Sequence, residues 1–336
     1  MSAAGGAATN HSGWRHWLLA VMPMLLMATS ALAQTAPRAD MARFDYRLAA
    51  RQLAPGVYVV EGDNADFSLA NGCNIINTGF IVTGAGVVVI NTGPSKRYGE
   101  QLRLLIARTT TEPVVQVIHL NLHPDYFLGN QAFADVPRYA TAATRAGIAR
   151  EAAAYETNLF RLCGDWMLGT ETLGPDRDLD VAAGRWRVGQ REFVLRELRG
   201  HTASDLVLVD RASGVAFVGG LAFSRRIPTT PHADVSVWLA SLGSLDAMPL
   251  RTVVPSHGPV FDDGSGLAQT QRYLRWLDGH FRAAAEGGLE MNELLRAPVP
   301  AEFAAWAAFQ TEYLRNVAHL YPRYERQALK AGQTLR

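Results

Sequence analysis

Short apolar strands alternate with helical segments along most of this 336-residue chain, and that alternation is the strongest constraint on its fold. Residues 78–83 and 87–90 are apolar runs flanking Gly84-Ala-Gly86, which is the pattern of a β-hairpin. Apolar spacing predicts a helix over 96–109, and the continuous apolar run 114–119 predicts a strand buried on both faces. Such alternation favours an α/β core.

The same pattern continues toward the C-terminus and then becomes purely helical. We therefore expect a mixed α/β core over 55–262, followed by a helical extension over 263–336. The patterns predict strands at 57–61, 192–198, 206–209, 215–218 and 252–254, helices at 142–162, 234–245, 267–287, 290–295 and 301–330, and an irregular stretch at 164–190.

The first 33 residues are typical of an export signal. A weakly basic start precedes an apolar run over 17–27, and the small-x-small sequence Ala31-Leu32-Ala33 stands just before Gln34. The run is shorter than the roughly 18 to 20 apolar residues that a membrane span needs. We expect cleavage between Ala33 and Gln34, a loosely held lead-in over 34–54 and a periplasmic mature chain without a membrane span. An uncleaved membrane anchor is the alternative.

Charge and cysteine content narrow the class further. The chain has 32 basic and 31 acidic residues, so nothing points to a nucleic-acid partner. Two cysteines exclude a disulfide-dense scaffold and a cysteine-rich zinc module. In an exported protein Cys73 and Cys163 either form one disulfide or remain buried thiols, and the residues alone leave both readings open.

Three histidines share a strand-end or turn context beside Gly, Pro, Thr or Asp: His123, His201 and His257. Loops at strand ends present catalytic groups, and imidazole is a common metal ligand. Asp125 follows His123 by two residues and adds a carboxylate. A lone histidine at a turn is more often structural, so the prediction of a site depends on all of these residues together.

Four motifs in this order resemble the metallo-β-lactamase superfamily: Asn91-Thr-Gly, Asn121-x-His-x-Asp-Tyr126, Gly200-His-Thr and Ser256-His-Gly. The resemblance covers about residues 55–262. It implies an αββα sandwich with a metal site at one sheet edge, where the family binds two zinc ions.

Further fragments resemble one subgroup, the quinoprotein relay system zinc metallohydrolases. They are the sequence of residues 76–82, His123-Pro-Asp, Gly129-Asn-x-x-Phe133 and Tyr313-Leu-Arg-Asn-Val317. Those proteins are exported and are found with quinoprotein alcohol dehydrogenases. The resemblance implies a small-molecule ligand in the sheet-edge cleft and a periplasmic quinoprotein dehydrogenase system as a partner.

The resemblance places four residues of this chain at metal-ligand positions: His123, Asp125, His201 and His257. Asp125 is also the candidate catalytic residue. Other ligand positions carry residues that depart from the family pattern, namely Asn121, Tyr126 and Gly220, and Asn91 replaces the aspartate of the family's Asp-Thr-Gly turn.

These departures make a two-zinc site improbable, because catalytic zinc usually has three protein ligands and losing a bridging carboxylate weakens a paired-cation site. One hypothesis is a single zinc or other divalent metal on the four retained residues, acting in hydrolysis of an ester, thioester or lactone. The other is a pocket without tight metal binding that serves an accessory or binding role. A partner-binding scaffold that uses the helical extension is a third reading.

Several residues near the motifs have less specific interpretations. Arg225 and Arg226 either contact an anionic ligand or form a solvated pair. We expect His119 to be structural, because it ends a buried strand. His232 either lines the cleft or lies in a surface loop before a helix that Asp234 caps, and we expect the surface loop.

Overall fold

The computed structural model describes residues 39–334, with side chains to residue 331. The expected export signal and the start of the lead-in lie outside the described residues. The strands are β1 (Arg51–Ala54), β2 (Val57–Val60), β3 (Thr78–Val82), β4 (Val87–Ile90), β5 (Val114–Ile118), β6 (Arg138–Ala140), β7 (Arg177–Asp178), β8 (Arg185–Val188), β9 (Arg191–Leu198), β10 (Asp205–Asp210), β11 (Val215–Phe223) and β12 (Thr252–His257). The α-helices are α1 (Lys96–Thr109), α2 (Pro124–Phe127), α3 (Ala142–Cys163), α4 (Val235–Asp246), α5 (Ser265–Glu286), α6 (Met291–Leu294), α7 (Ala301–Ala304) and α8 (Phe309–Thr334).

These strands form two sheets. The first has the order β1-β2-β3-β4-β5-β6-β7, antiparallel from β1 to β4 and parallel from β4 to β7. The second has the order β12-β11-β10-β9-β8, in which only the β11–β12 pair is parallel. The parallel pairs bring the ends of β5 and β12 to polar turns that carry the candidate residues.

Three apolar cores separate the layers. In β4, Val88 and Ile90 point into a core shared by the two sheets, whereas Val87 and Val89 point into a core that includes residues of α1 and α3. This alternation follows from the two-residue period of a strand. A third core joins the second sheet to α4, α5 and the later helices. The order helix, sheet, sheet, helix confirms the predicted αββα sandwich with a helical extension.

Helix bounds follow local capping signals. Ser95 accepts a hydrogen bond from the Tyr98 amide at the start of α1, and Asp234 accepts one from the Val237 amide at the start of α4. The prediction for α1 and the capping role of Asp234 are confirmed.

Three expectations about the elements were wrong. Residues 301–330 do not form one helix, because the chain leaves the helical path before α8 and Ala308 has a φ of 57°. The irregular stretch 164–190 contains the short strands β7 and β8. The lead-in is not loosely held throughout, since its last residues form β1 and Tyr46 is buried.

A disulfide joins Cys73 to Cys163, with the two Cα atoms 5.9 Å apart. It ties the segment between β2 and β3 to the end of α3, and both sulfur-bearing side chains are buried. In the described part of the chain, no helix is long and apolar enough to cross a membrane.

Candidate functional site

The turn after β5 places the first candidate residues in the cleft at the sheet edge. Asn91, at φ 59°, accepts a hydrogen bond from the Leu120 amide at 3.1 Å through its side-chain oxygen. The side-chain oxygen of Asn121 then accepts from the His123 amide at 3.0 Å. Asn121 therefore holds the backbone of the loop that presents His123. Asp125 follows in the short helix α2, and its side chain is buried.

His201 stands in the turn between β9 and β10 and is oriented by a carboxylate. Its Nδ1 lies 3.2 Å from Asp205 Oδ1, and Asp205 also accepts from the Thr202 amide at 2.8 Å. Because Nδ1 donates to the carboxylate, Nε2 has its lone pair free, and this buried atom has no hydrogen-bond partner among the described residues. The His201 ring packs against the rings of His123 and Trp238, with centroids 4.6 and 5.1 Å apart.

His257, at the end of β12, has the same kind of support. Its Nδ1 donates to the carbonyl of Ile75 at 2.7 Å. Its Nε2 consequently faces Asp125, and lies 3.6 Å from Oδ2 of that carboxylate. Oδ2 of Asp125 is buried and makes no hydrogen bond in the described structure. Asp125 Oδ2 and His257 Nε2 therefore form a close pair in which the carboxylate oxygen has no hydrogen bond from a described residue.

Position 220 has no room for a side chain. Gly220 lies in β11, and a Cβ built on it would stand 1.9 Å from His201 Nδ1. Contacts below 3.0 Å force a neighbour to move, and here the neighbour is a ring held by Asp205. With His201 in this place, only glycine fits at the position.

His232 is the residue for which the sequence interpretation preferred the wrong alternative. The surface-loop prediction was wrong, because His232 Nδ1 lies 3.2 Å from His123 Nε2 and the His232 side chain is only 24% exposed. On its other side, His232 Nε2 lies 3.7 Å from Glu151 of α3. No motif marks this residue; a histidine in a loop just before a capped helix was the only local signal.

Arg226 corrects a second expectation. It is fully buried, so it is neither a solvated residue nor free to meet an anion from solvent. Its guanidinium lies 3.4 Å from Glu312 of α8 and donates to the Ala65 carbonyl at 3.1 Å. Arg225 is exposed, and its backbone carbonyl accepts from the Asn64 side chain at 3.2 Å.

The last helix holds the loops that border the cleft. Arg315 of α8 donates to both carboxylate oxygens of Asp66 at 2.9 and 3.0 Å. Asn316 accepts from Thr230 at 2.7 Å, a few residues before His232. The helical extension therefore positions residues of the cleft rather than standing apart from it.

Burial sets the protonation of the cleft. Desolvation raises the pKa of Asp125 to about 7, although the positive charge of Arg226 opposes the shift. Burial lowers the pKa of His123 and of His257 well below the usual range, and neighbouring positive charge adds to the effect. The two imidazoles are therefore neutral at pH 7 and can act as acceptors or ligands.

Two more residues of the motif region, His119 and Tyr126, are buried. His119 Nδ1 bonds to the Tyr126 carbonyl at 3.0 Å, and burial lowers its pKa to about 3, as a structural role predicts. Burial raises the pKa of the Tyr126 phenol well above its ordinary value. The phenol is therefore protonated at neutral pH.

The fold has two packed sheets with helices outside them, and the histidines and the aspartate lie together at one sheet edge. This combination identifies the class of protein. The sequence model of the metallo-beta-lactamase superfamily matches residues 71–257, more than half of the chain. The chain belongs to that superfamily, which confirms the resemblance at the superfamily level.

Solved structures agree on the fold. A metallo-beta-lactamase from Pontibacter korlensis is 21% identical in sequence and superposes with a TM-score of 0.55. The alignment covers 68% of this chain and 99% of the Pontibacter korlensis protein. A metallo-beta-lactamase from Hirschia baltica is 16% identical in sequence and has a TM-score of 0.53. The alignment covers 68% of this chain and 97% of the Hirschia baltica protein. No curated protein matches the chain. At these identities the likeness concerns the fold alone.

Two direct contacts link the four predicted ligands in pairs, and electrostatic interactions of His257 with His123 and His201 connect the pairs. His123 and His201 are in ring contact, and Asp125 and His257 form the close pair. Among the described residues, no group of three or more His, Cys, Asp or Glu side chains could hold a metal ion.

Proposed function

We propose that this chain is an exported member of the superfamily whose cleft has lost the two-zinc centre and which serves as a binding or accessory protein in periplasmic quinoprotein-linked oxidation. The observation that carries the proposal is the occupied space at Gly220. The resemblance puts the bridging carboxylate there, and a side chain would collide with His201. A pair of cations without a bridging anion repel each other strongly.

The other departures support the same conclusion. The side-chain oxygen of Asn121 accepts from the His123 amide, so it is committed to the loop. The Tyr126 phenol stays protonated, which makes it a poor metal ligand. The donor set does not fit two metal ions, and we derive no reaction step through them.

The accessory role rests on the subgroup resemblance and on the helical extension. Tyr313-Leu-Arg-Asn-Val317, part of that resemblance, lies in α8. In the structure Arg315 and Asn316 of this segment hold Asp66 and Thr230 beside the cleft. The subgroup motif therefore has a physical role in fixing cleft loops.

A one-metal hydrolase of an ester, thioester or lactone is the second candidate. The observation that favours it is the 3.6 Å separation of Asp125 Oδ2 and His257 Nε2, two acceptor atoms that would both suit one cation. His201 Nε2, which is buried and has no hydrogen-bond partner among the described residues, is the candidate third ligand atom. A bound metal would supply Lewis acidity there.

Elemental analysis separates these functions. The protein is purified from periplasm without chelators or a His tag, incubated with excess zinc and freed of unbound metal by gel filtration. The proposal expects far less than one metal per chain, with no change in Asp125→Asn. One metal per chain, lost in Asp125→Asn and His257→Ala but kept in the control His319→Ala, would establish the one-metal candidate. Two metals per chain would refute both.

The partner is tested on the same preparation. The immobilised protein is exposed to periplasmic extract, and retained proteins are identified by mass spectrometry. The accessory role expects a quinoprotein dehydrogenase among them, retained equally by wild type and by Asp125→Asn. Retention of no quinoprotein by a folded sample would contradict that role.

A further inference from the structure

The free edge of the second sheet carries an unusual charge arrangement. In the described chain, β8 pairs only with β9 and ends the strand order of its sheet. Arg185 and Arg187 alternate with half-buried residues along β8 and therefore share one face. Their side chains are 68% and 66% exposed.

Three guanidinium groups meet a single carboxylate at this edge. Glu192 of β9 lies 2.6 Å from Arg187, 2.7 Å from Arg211 and 3.7 Å from Arg185. These charges lower the pKa of Glu192. One carboxylate offsets only one of three positive charges, so the edge has an uncompensated positive charge.

Other exposed arginines do not share this arrangement. Arg272 of α5 meets Glu302 of α7, and Arg282 meets Asp278 within α5, each as a single pair. The chain has a formal net charge of only +1, so the cationic edge is a local feature and not a consequence of net charge.

We propose that the β8 edge binds an acidic, extended segment of a partner protein, which adds to the sheet as a further strand. An edge strand offers unpaired backbone groups to an incoming strand. The two-residue spacing of Arg185 and Arg187 matches carboxylates at alternate positions of that segment, because side chains of a strand repeat with a period of two. Charge complementarity favours the acidic partner and speeds its association. This inference does not depend on the state of the cleft.

The test uses a labelled peptide of about ten residues that alternates Glu with Thr, a length typical of a long strand. Fluorescence anisotropy is measured with the full chain at low ionic strength. We expect binding that weakens at least about tenfold in the triple variant Arg185→Gln/Arg187→Gln/Arg211→Gln. The control Arg272→Gln/Arg282→Gln, which also removes exposed positive charges, should bind as wild type does.

Further arms distinguish the occupants. A peptide of the same composition with its Glu residues in one block should bind several-fold more weakly; equal binding overturns the strand register. No binding by wild type, or an equal loss of affinity in the triple variant and in the control variant, overturns the site. The arginines would then serve to prevent other strands from pairing with this edge. Phosphatidylglycerol vesicles that bind more tightly than the peptide, and lose binding in the triple variant, would assign the edge to a membrane and overturn the protein partner. Unchanged urea unfolding of each variant shows that folding is intact.

Discussion

The cleft has two regions that treat their polar atoms differently. The imidazole region comprises His123, His201 and His232; the carboxylate region comprises Asp125 and His257. In the first, carboxylates lie on the outer nitrogens of His201 and His232, and a 3.2 Å contact satisfies His123 Nε2. In the described structure, His201 Nε2 in the first region and Asp125 Oδ2 in the second are both buried without a hydrogen bond, but only the second region leaves a carboxylate oxygen unsatisfied.

The difference shows how neighbouring residues satisfy some buried polar atoms of a site and leave others without a partner. The side-chain oxygen of Asn121 accepts from the His123 amide and fixes the loop, and His232 Nδ1 is the partner of His123 Nε2. An unsatisfied buried polar atom costs about 1–3 kcal/mol, so this contact has energetic value. In the carboxylate region no neighbouring group of the described chain donates a hydrogen bond to Asp125 Oδ2. Burial of this carboxylate therefore raises the pKa of Asp125.

The largest expected effect concerns the charge behind the carboxylate region. Glu312→Ala leaves Arg226 buried without its carboxylate and should lower the free energy of unfolding by about 3–5 kcal/mol. Urea unfolding measures the change. The matched control Glu302→Ala breaks an exposed pair and should change it by less than about 1 kcal/mol. Equal effects would show that burial of this pair is unimportant.

The pH dependence of Asp125 separates the regions next. Its pKa rises from 3.8 to about 7 on folding, so the folded state favours the protonated carboxyl. The associated stability is complete below about pH 4 and is lost as pH rises through about 7. Relative to Asp125→Asn, wild type should lose about 2–4 kcal/mol between pH 4 and pH 8.

Urea unfolding at several pH values provides this comparison. Asp234→Asn is the control, because the pKa of Asp234 is lowered by the hydrogen bond from the Val237 amide, so its contribution has the opposite sign. If the free energy of unfolding changed with pH in the same way for wild type and Asp125→Asn, the raised pKa of Asp125 would be contradicted.

Gly220→Ala probes the packing of the imidazole region. The new Cβ would displace His201, so we expect a loss of about 1–3 kcal/mol in the free energy of unfolding. Gly243→Ala is the control: it lies in α4 with nothing within 4 Å, and alanine there should be neutral or stabilising. A harmless Gly220→Ala would mean that His201 moves easily.

His232→Ala should have the smallest effect. It removes the hydrogen bond to His123 in a partly exposed place, where water can replace it, so we expect about 1 kcal/mol of destabilisation. His319→Ala, an exposed histidine of α8, should change the free energy of unfolding little. If the two variants unfolded alike, the His123–His232 contact would have no stabilising value.

Sequence patterns predicted the features of the fold that depend on residues close together along the chain. The bounds of α1 and the β3–β4 hairpin follow from local periodicity and turn residues, and both are confirmed. Contacts between distant segments were beyond such patterns. His232 meets a residue 109 positions away, and Arg226 meets one 86 positions away. Sequence patterns did not predict either contact, because the partners lie in other elements of the fold.

The most direct test of the account reads the histidine nitrogens themselves. Long-range ¹⁵N–¹H NMR of the full chain reports the tautomer of each imidazole, before and after addition of excess zinc. We predict that His201 and His257 carry their proton on Nδ1, and that zinc leaves the nitrogen resonances of His123 and His232 unchanged. Zinc-dependent shifts of His123, His201 and His257 together, saturating at two metals per chain, would contradict the loss of the two-zinc centre.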